Sequence, residues 1–335
     1  MSYVPGMPLV ILLASAMATD IVMLGNSYMF QHHLDLALRE TLRAGLGDKG
    51  ETVLLADAGY SFRTHADSVA TVGTAWYDAL GADERWDWAI LQDQSQIPGF
   101  PQTDPTWIDS NAAGRSLNEA VVARGGRTVL MMTWGRRDGD AQNPSLYPDF
   151  LTMQARLKEG YLAYQAAWST PEHPVWIAPV GLAFEAAYHS GTDFTDLYEA
   201  DGSHPSVAGT WLASCVLYAT LTGEDPTALP GPADLDAALA ARLAELARAT
   251  VLEGGLEYPW SSEEVPEDST PGTDDDDDPS PEDGDSAEDA GSPKATPAAG
   301  PAACGCASGP QGLGSWAWSL LLLPLSLRRR AADLR

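Results

Sequence analysis

Between residues 20 and 260 the hydrophobic positions gather into five short runs: Ile21 to Leu24, Thr52 to Ala56, Trp88 to Leu91, Thr128 to Met132 and Val175 to Val180. Runs this short and continuous predict strands buried on both faces, as in a parallel sheet. They recur at intervals of roughly 30 to 50 residues, which is the spacing of strand-helix-strand units. The intervening segments carry a helical period. After Ser27, the residues Phe30, Leu34, Leu38 and Leu42 recur every four positions and Gly45 supplies a stop. Further helices are predicted over Ala113 to Ala123, Leu146 to Trp168, Val207 to Leu221 and Leu235 to Leu252. Alternating strand and helix predicts one doubly wound α/β domain over residues 19–260, with a five-stranded parallel sheet and its chemistry at the carboxyl ends of the strands.

The pattern breaks down at both ends. Residues 1–18 hold the apolar run Leu9 to Met17 and end in Ala16-Met17-Ala18, a small-x-small tripeptide of the kind a signal peptidase cuts. They read as a signal peptide whose positive charge comes only from the amino terminus. The alternative is a buried strand or helix over Leu9 to Ala14. Composition changes the picture at the other end. Of a formal net charge of -28, residues 261–300 supply 14 acidic residues against one Lys, with five aspartates in succession from Asp274 to Asp278. Such a segment cannot repay its ordering entropy and reads as a disordered, self-repelling acidic linker. Its aspartates lack the alternation, the Gly and the distal Glu of a calcium loop. The overall charge also excludes nucleic acid as a partner.

Residues 301–335 hold Cys304-Gly305-Cys306, the apolar run Trp316 to Leu327 and the cluster Arg328-Arg329-Arg330. The run is shorter than the roughly 20 residues that span a hydrocarbon core. The order of parts resembles the MYXO-CTERM sorting signal of myxobacterial surface proteins. That resemblance implies an envelope protease that removes the tail, attachment through Cys304 and Cys306, and membrane contact before or after processing. The alternatives are a plain tail anchor and a disordered end with two metal-binding thiols, although a lone C-x-C is poor zinc spacing. Together the ends predict an exported protein attached to the cell surface or outer membrane, with part of it released. The third cysteine, Cys215, falls in an apolar helical stretch and reads as core.

The sheet rule directs attention to Gly25-Asn26-Ser27, directly after the first strand. A serine there sits where strand turns into helix, beside the unpaired N–H groups of a helix start, which can stabilise an oxyanion. Far away, Asp201-Gly202-Ser203-His204-Pro205 follows the last strand and precedes a helix. An Asp and a His three apart on a loop can point at one site, the carboxylate orienting the imidazole as it takes a serine proton. Each piece alone also has an ordinary reading, Ser27 as a helix cap and the Asp-His loop as a turn. Their placement on matching edges favours the chemistry.

These residues resemble the SGNH, or GDSL-like, hydrolases, over about residues 20–225. The resemblance implies a flavodoxin-like α/β/α sandwich, no metal and no cofactor, with Ser27 as nucleophile, His204 as general base and then acid, and Asp201 orienting it. It also implies an oxyanion hole from Ser27, Gly59 of Asp57-Ala58-Gly59-Tyr60, and Gln94. The family's third block is usually Gly-x-Asn-Asp; here it reads Leu91-Gln92-Asp93-Gln94-Ser95, so Gln94 aligns to the Asn and Gln92 is its rival. Gly-Asn-Ser-Tyr, Leu-Gln-x-Gln-Ser and Ser-His-Pro-Ser-x-x-Gly-Thr together look like a mostly uncharacterised bacterial branch.

Gln92, Trp134 and Arg136 are candidate substrate-binding residues, the last two at the edge of strand four, where they suit a sugar face or an acidic substituent. His32 and His33 are rim candidates and Arg137 a surface ion-pair partner. The function predicted is a serine esterase that hydrolyses carboxylic esters through an acyl-enzyme, its substrate an ester such as an acylated glycan. An acyltransferase on the same fold and a non-catalytic glycan-binding surface protein are the alternatives.

Overall fold

The computed structural model describes residues 18–82, 84–191 and 194–262. The signal-peptide, acidic-linker and sorting-segment expectations, including Cys304 and Cys306, lie outside the described residues. No helix among the described residues is long and apolar enough to cross a membrane.

Five strands form one all-parallel sheet: β1 (Ile21–Gly25), β2 (Thr52–Ala56), β3 (Trp88–Leu91), β4 (Arg127–Met131) and β5 (Trp176–Ala178), in the order β2-β1-β3-β4-β5. Every residue of β1 is buried, as expected of a central strand covered on both faces. Alternation assigns the side chains to two separate cores. Ile21, Met23, Ile90, Val129 and Met131 face one side; there they meet α2 (Leu34–Leu46), α6 (Val180–Ser190), α7 (Val207–Thr222) and α8 (Ala237–Leu252). Val22, Leu24, Ala89, Leu91 and Leu130 face the other, where α3 (Phe62–Ala70), α4 (Pro105–Val122) and α5 (Phe150–Trp168) contribute Phe62, Leu117, Tyr161 and Tyr164. The result is the three-layer α/β/α sandwich that the strand periodicity predicts. Cys215 is a buried free thiol in α7.

Several elements differ from expectation, each for a local reason. The helix read from Ser27 to Gly45 is broken into the single turn α1 (Ser27–Phe30) and α2, because His32 and His33 both adopt φ 53. The run Val175 to Val180 is strand only as far as Ala178; Pro179 turns the chain and Val180 already begins α6. α3 and the first two turns of α4 were not anticipated. Ser61 caps α3 in a reciprocal arrangement with Thr64, and Asp104 followed by Pro105 starts α4 well before Ala113.

Candidate active site

The chain leaves β1 through a tight turn made possible by Gly25. A Cβ there would lie 2.5 Å from Met29 Sδ and 2.7 Å from Gln92 Oε1. Asn26 follows, 3 % exposed, and ties three loops together. Its N–H donates to Gln92 Oε1 (3.1 Å), its amide Nδ2 donates to the carbonyls of Tyr60 (2.9 Å) and Asp93 (3.4 Å), and its Oδ1 accepts the Tyr28 N–H (3.1 Å). Asn26 therefore caps α1, and Ser27 is the first residue of that helix. An N–H at the first helical position has no intrahelical acceptor and points outward.

Ser27 meets residues brought from the other end of the domain. His204 Nε2 lies 2.8 Å from Ser27 Oγ, and His204 Nδ1 lies 2.5 Å from Asp201 Oδ2. A carboxylate beside Nδ1 fixes the proton on that nitrogen, which leaves the Nε2 lone pair facing the hydroxyl. The other Asp201 oxygen accepts the N–H groups of Ser203 (2.9 Å) and His204 (3.0 Å). Partial burial raises the Asp201 pKa; the His204 ring and the two amides more than offset this, and the carboxyl is held below its ordinary value.

The loop that carries Asp201 and His204 is supported from the β4 edge. Trp134 Nε1 donates to the Ser203 carbonyl (3.1 Å), the Arg137 N–H to the Gly202 carbonyl (2.8 Å), and the Tyr198 hydroxyl to the Gly135 carbonyl (2.7 Å). The Tyr28 hydroxyl pairs with Ser203 Oγ at 2.7 Å, its ring stacks on Trp134 at 4.7 Å, and Trp134 stacks on Phe184 at 4.4 Å. Trp134 is fully buried. It supports the loop that carries Asp201 and His204, which corrects the expectation of a ring open to a sugar face.

The oxyanion candidates are arranged less simply. Gly59 sits in a turn at φ 70 with open space where a Cβ would be, and its N–H donates to no acceptor among the described residues. Gln94 does not extend toward Ser27 as expected. Its Oε1 accepts the Gln96 N–H (2.8 Å) and its Nε2 donates to Gln96 Oε1 (2.8 Å), closing a ring within its own loop. Gln92 is also corrected as a substrate-binding candidate. It is fully buried, with Oε1 on the Asn26 N–H and Nε2 donating to the Asp93 carbonyl, so it buttresses the nucleophile turn from beneath. Arg136 is about one-fifth exposed and is held by Asp140 (2.6 Å). Asp140 also accepts from the Gln142 N–H, Asn143 and Gln96. Arg136 is near enough to Tyr28 to favour the ionised phenol, although burial dominates and pushes the tyrosine up.

Two buried titratable residues under this side had no sequence signal. His65, 0 % exposed, has Nε2 2.9 Å from the Gly25 carbonyl, while its Nδ1 accepts the Trp76 indole N–H (2.8 Å), so the proton is on Nε2. Burial pushes its pKa down to about 4, against the opposing effect of the Gly25 carbonyl. Asp93, also 0 % exposed, accepts from the Phe62 N–H (2.9 Å), the Gln94 N–H (2.8 Å), Ser110 Oγ (2.7 Å) and the Tyr164 hydroxyl (3.1 Å). Burial still prevails over those donors and raises it to about 6. At the rim, His32 Nε2 lies 2.6 Å from Glu199 Oε1, and Glu199 bonds back to His204 and Gly202 through its own backbone. His33 is exposed, and its backbone N–H donates to the Phe30 carbonyl (3.2 Å). No group of three or more His, Cys, Asp or Glu side chains among the described residues is arranged to hold a metal ion.

A parallel sheet in this order, flanked by helices and carrying a serine, a histidine and an aspartate at its carboxyl edge, has the SGNH hydrolase fold. A protein of Slackia heliotrinireducens assigned to the SGNH hydrolases is 31% identical over 61% of this chain and 99% of its own length, with a TM-score of 0.49. At that identity and coverage the chain belongs to the SGNH hydrolase family. A DUF4886 family protein of Bacteroides uniformis is similar in fold, at 17% identity, a TM-score of 0.54, and 70% of this chain against 95% of that one. An acetylxylan esterase of Geobacillus stearothermophilus, in a catalytic-mutant form, matches at 14% identity with a TM-score of 0.40, covering 61% of this chain and 93% of its own. No family model matches the chain, and no curated protein does either.

Proposed function

We propose that this SGNH protein is an exported serine esterase that hydrolyses carboxylic esters through an acyl-enzyme, with acyl groups on carbohydrate as its substrate class. The observation that carries the reading is the contact of 2.8 Å between His204 Nε2 and Ser27 Oγ, with Asp201 on the far nitrogen. Ser27 Oγ attacks the ester carbonyl as His204 takes its proton, and the imidazolium is stabilised by Asp201. The carbonyl oxygen becomes an oxyanion that receives the N–H groups of Ser27 and Gly59. His204 then gives the proton to the departing alcohol. Water, deprotonated by the same imidazole, attacks the acyl-Ser27 ester; the C–O bond to Ser27 breaks, the imidazolium returns its proton to Ser27 Oγ, and the acid is released.

The half-exposed Asp201 and one-third-exposed His204 leave the reacting edge open to a bulky alcohol portion, which suits a glycan better than a buried acyl chain. The sequence features at both ends support export and surface attachment. The test is fluorophosphonate labelling of the full chain, with the adduct located by mass spectrometry, alongside turnover of a short-chain nitrophenyl ester. Modification on Ser27 and loss of both signals in Ser27→Ala are expected. Absence of label on Ser27 leaves a non-catalytic surface protein, and acyl transfer to an added sugar in preference to water makes the enzyme an acyltransferase.

A further inference from the structure

A buried, extensively hydrogen-bonded ion pair, Arg39 with Asp48, lies at the opposite edge of the sheet from Ser27. Arg39 and Asp48 are 4 % and 3 % exposed. Arg39 Nη1 donates to Asp48 Oδ1 (2.9 Å), Nη2 to the carbonyls of Thr19 (2.8 Å) and Glu51 (2.9 Å), and Nε to Thr52 Oγ1 (3.1 Å). Asp48 Oδ1 also accepts the N–H groups of Gly50 (2.7 Å) and Thr19 (3.1 Å), and the Thr19 side chain adds a bond to the same carboxylate. The fit around Thr19 is close: a Cβ on Gly50 would lie 2.1 Å from the Thr19 carbonyl oxygen and 2.4 Å from its nitrogen. One residue earlier the grip ends, and Ala18 is exposed.

A buried carboxylate, a buried guanidinium and a glycine pressed against one residue are more than the entry to a strand needs. They hold both the nitrogen and the carbonyl of Thr19, the residue that follows the small-x-small tripeptide Ala16-Met17-Ala18. We infer that the chain is cut between Ala18 and Thr19 and that the Arg39–Asp48 cradle binds the α-ammonium group the cut creates. Hydrolysis of the Ala18–Thr19 peptide bond by a signal peptidase, with one water consumed, releases the Ala18 carboxylate and converts the Thr19 amide N–H into an ammonium with three donors. Asp48 is already in place to receive them, so the mature start of the protein is fixed into the end of β1.

The surrounding charges fit the same event. Arg39 and Arg43 come from α2, Asp48, Lys49 and Glu51 from the connection to β2, and Asp20 and Asp87 from the segments before β1 and β3. Asp20 and Asp87 are themselves linked, the Asp20 N–H donating to Asp87 Oδ2 at 2.8 Å. Of this set, Asp48, Asp20 and Arg43 act on Arg39; by formal count the set holds four acidic residues against three basic ones, and an ammonium at Thr19 brings it to zero. The reading is independent of the ester chemistry, since activity is not its measure.

The first test is amino-terminal sequencing of the protein exported by a secreting bacterial host, where Thr19 is expected as the first residue. Any other start overturns the inference. The second compares two forms of the chain from Thr19 to Arg335, one with a free amine and one acetylated on Thr19, by thermal melting from pH 5 to 10. An ammonium held by a carboxylate has its pKa raised in the folded state, so its stabilisation is complete below the unfolded value of ~8 and fades as pH rises through the folded one. The free-amine form is expected to melt ~2–4 °C above the acetylated form at pH 6, with the difference gone by pH 10. Asp48→Asn is expected to abolish that difference where it folds. Equal melting of the two forms at pH 6 overturns the inference whether or not the variant can be made.

Discussion

On one side of Ser27, His204 and Asp201 are three residues apart and organise each other through a ring nitrogen and two backbone amides of the same loop. On the other side, Gly59, Gln94 and Gln92 come from two separate loops, and their placement depends on buried groups as distant in sequence as Asn26, His65, Ser110 and Tyr164. The side proposed for acid-base work is a surface feature, with His204 about one-third and Asp201 about one-half exposed. The side proposed for the oxyanion rests on a floor of buried residues, Asn26, His65, Gln92 and Asp93. A short-range motif specifies its own geometry, whereas a site assembled from several loops inherits the packing of everything beneath it.

The largest effect that separates the two sides is loss of the proposed nucleophile. Ser27→Ala is expected to lower ester turnover by at least ~10³-fold while leaving the melting temperature within ~1–2 °C, because the hydroxyl hydrogen-bonds to His204 alone among the described residues and is not a buried packing group. His204→Ala is expected to match it. Steady-state kinetics and melting on the same preparations check both, and a residual activity above one-tenth of the parent in Ser27→Ala breaks the assignment.

The second effect is specific to the floor of the oxyanion side and is read in stability. Asp93 has its pKa raised to about 6 by burial and His65 has its pKa lowered to about 4. A carboxyl raised above its unfolded value costs stability as pH climbs from about 4 to 6. A buried neutral imidazole contributes stability present above about pH 6.5 and lost as pH falls toward 4. Each amounts to about 3 kcal/mol, and over pH 4 to 6 they oppose one another. The parent protein is therefore expected to show a nearly flat melting temperature across that range. Asp93→Asn keeps an acceptor for the Phe62 and Gln94 amides and removes one of the two titrations, leaving a protein that loses stability steadily below pH 6. A profile as flat as the parent's means that His65 is not a neutral buried group. The depressed carboxyls, Asp48, Asp140 and Asp201, act in another range, since their contribution is present above the unfolded value of ~4 and disappears below it.

What the sequence disclosed follows the same division. The parallel sheet was legible because a strand buried on both faces is a short continuous apolar run, and Ile21 to Leu24 and Trp88 to Leu91 are of that kind. Ser27, Asp201 and His204 were legible because a strand end and an Asp-x-x-His loop are local patterns. The breaking of the first helix was not, since two consecutive non-glycine residues in the left-handed region, His32 and His33, leave no compositional mark. Trp134 was misread for a related reason. Its place after β4 fits a ring at the rim, and only the stack with Tyr28 and Phe184 shows that it faces inward. His65 and Asp93 owe their roles to contacts across 40 and up to 71 positions, which no periodicity records.

His32 offers a smaller test, at the rim where the two sides meet. Its contact with Glu199 joins the segment after Ser27 to the loop before Asp201, and two strained backbones are held there. The pair is partly exposed, so Glu199→Gln is expected to cost little stability and to slow fluorophosphonate labelling of Ser27 by ~2–5-fold. His32→Ala is expected to give the same reduction, and the double variant no more than either. Additive losses mean that the residues act separately, and the bridge between the two sides is then not a functional unit.

The smallest expected effect bears most directly on the comparison. Gln94 occupies the position at which a family Asn would supply an oxyanion donor, yet its amide is engaged with Gln96 on both its oxygen and its nitrogen. If that ring persists during turnover, Gln94→Ala lowers kcat/KM by less than ~3-fold, since an oxyanion donor in use is worth ~10²-fold or more. Gln96→Ala separates the two outcomes, because it releases Gln94 Nε2, the donor, while the backbone N–H of residue 96 still holds Gln94 Oε1. An oxyanion hole limited to the Ser27 and Gly59 N–H groups predicts no gain from that release. A loss near 10²-fold in Gln94→Ala means instead that the side chain leaves Gln96 and swings over the substrate carbonyl, its extra methylene reaching where the shorter amide would stand. The oxyanion side would then be completed by the substrate, in contrast to an acid-base side that is formed before it arrives.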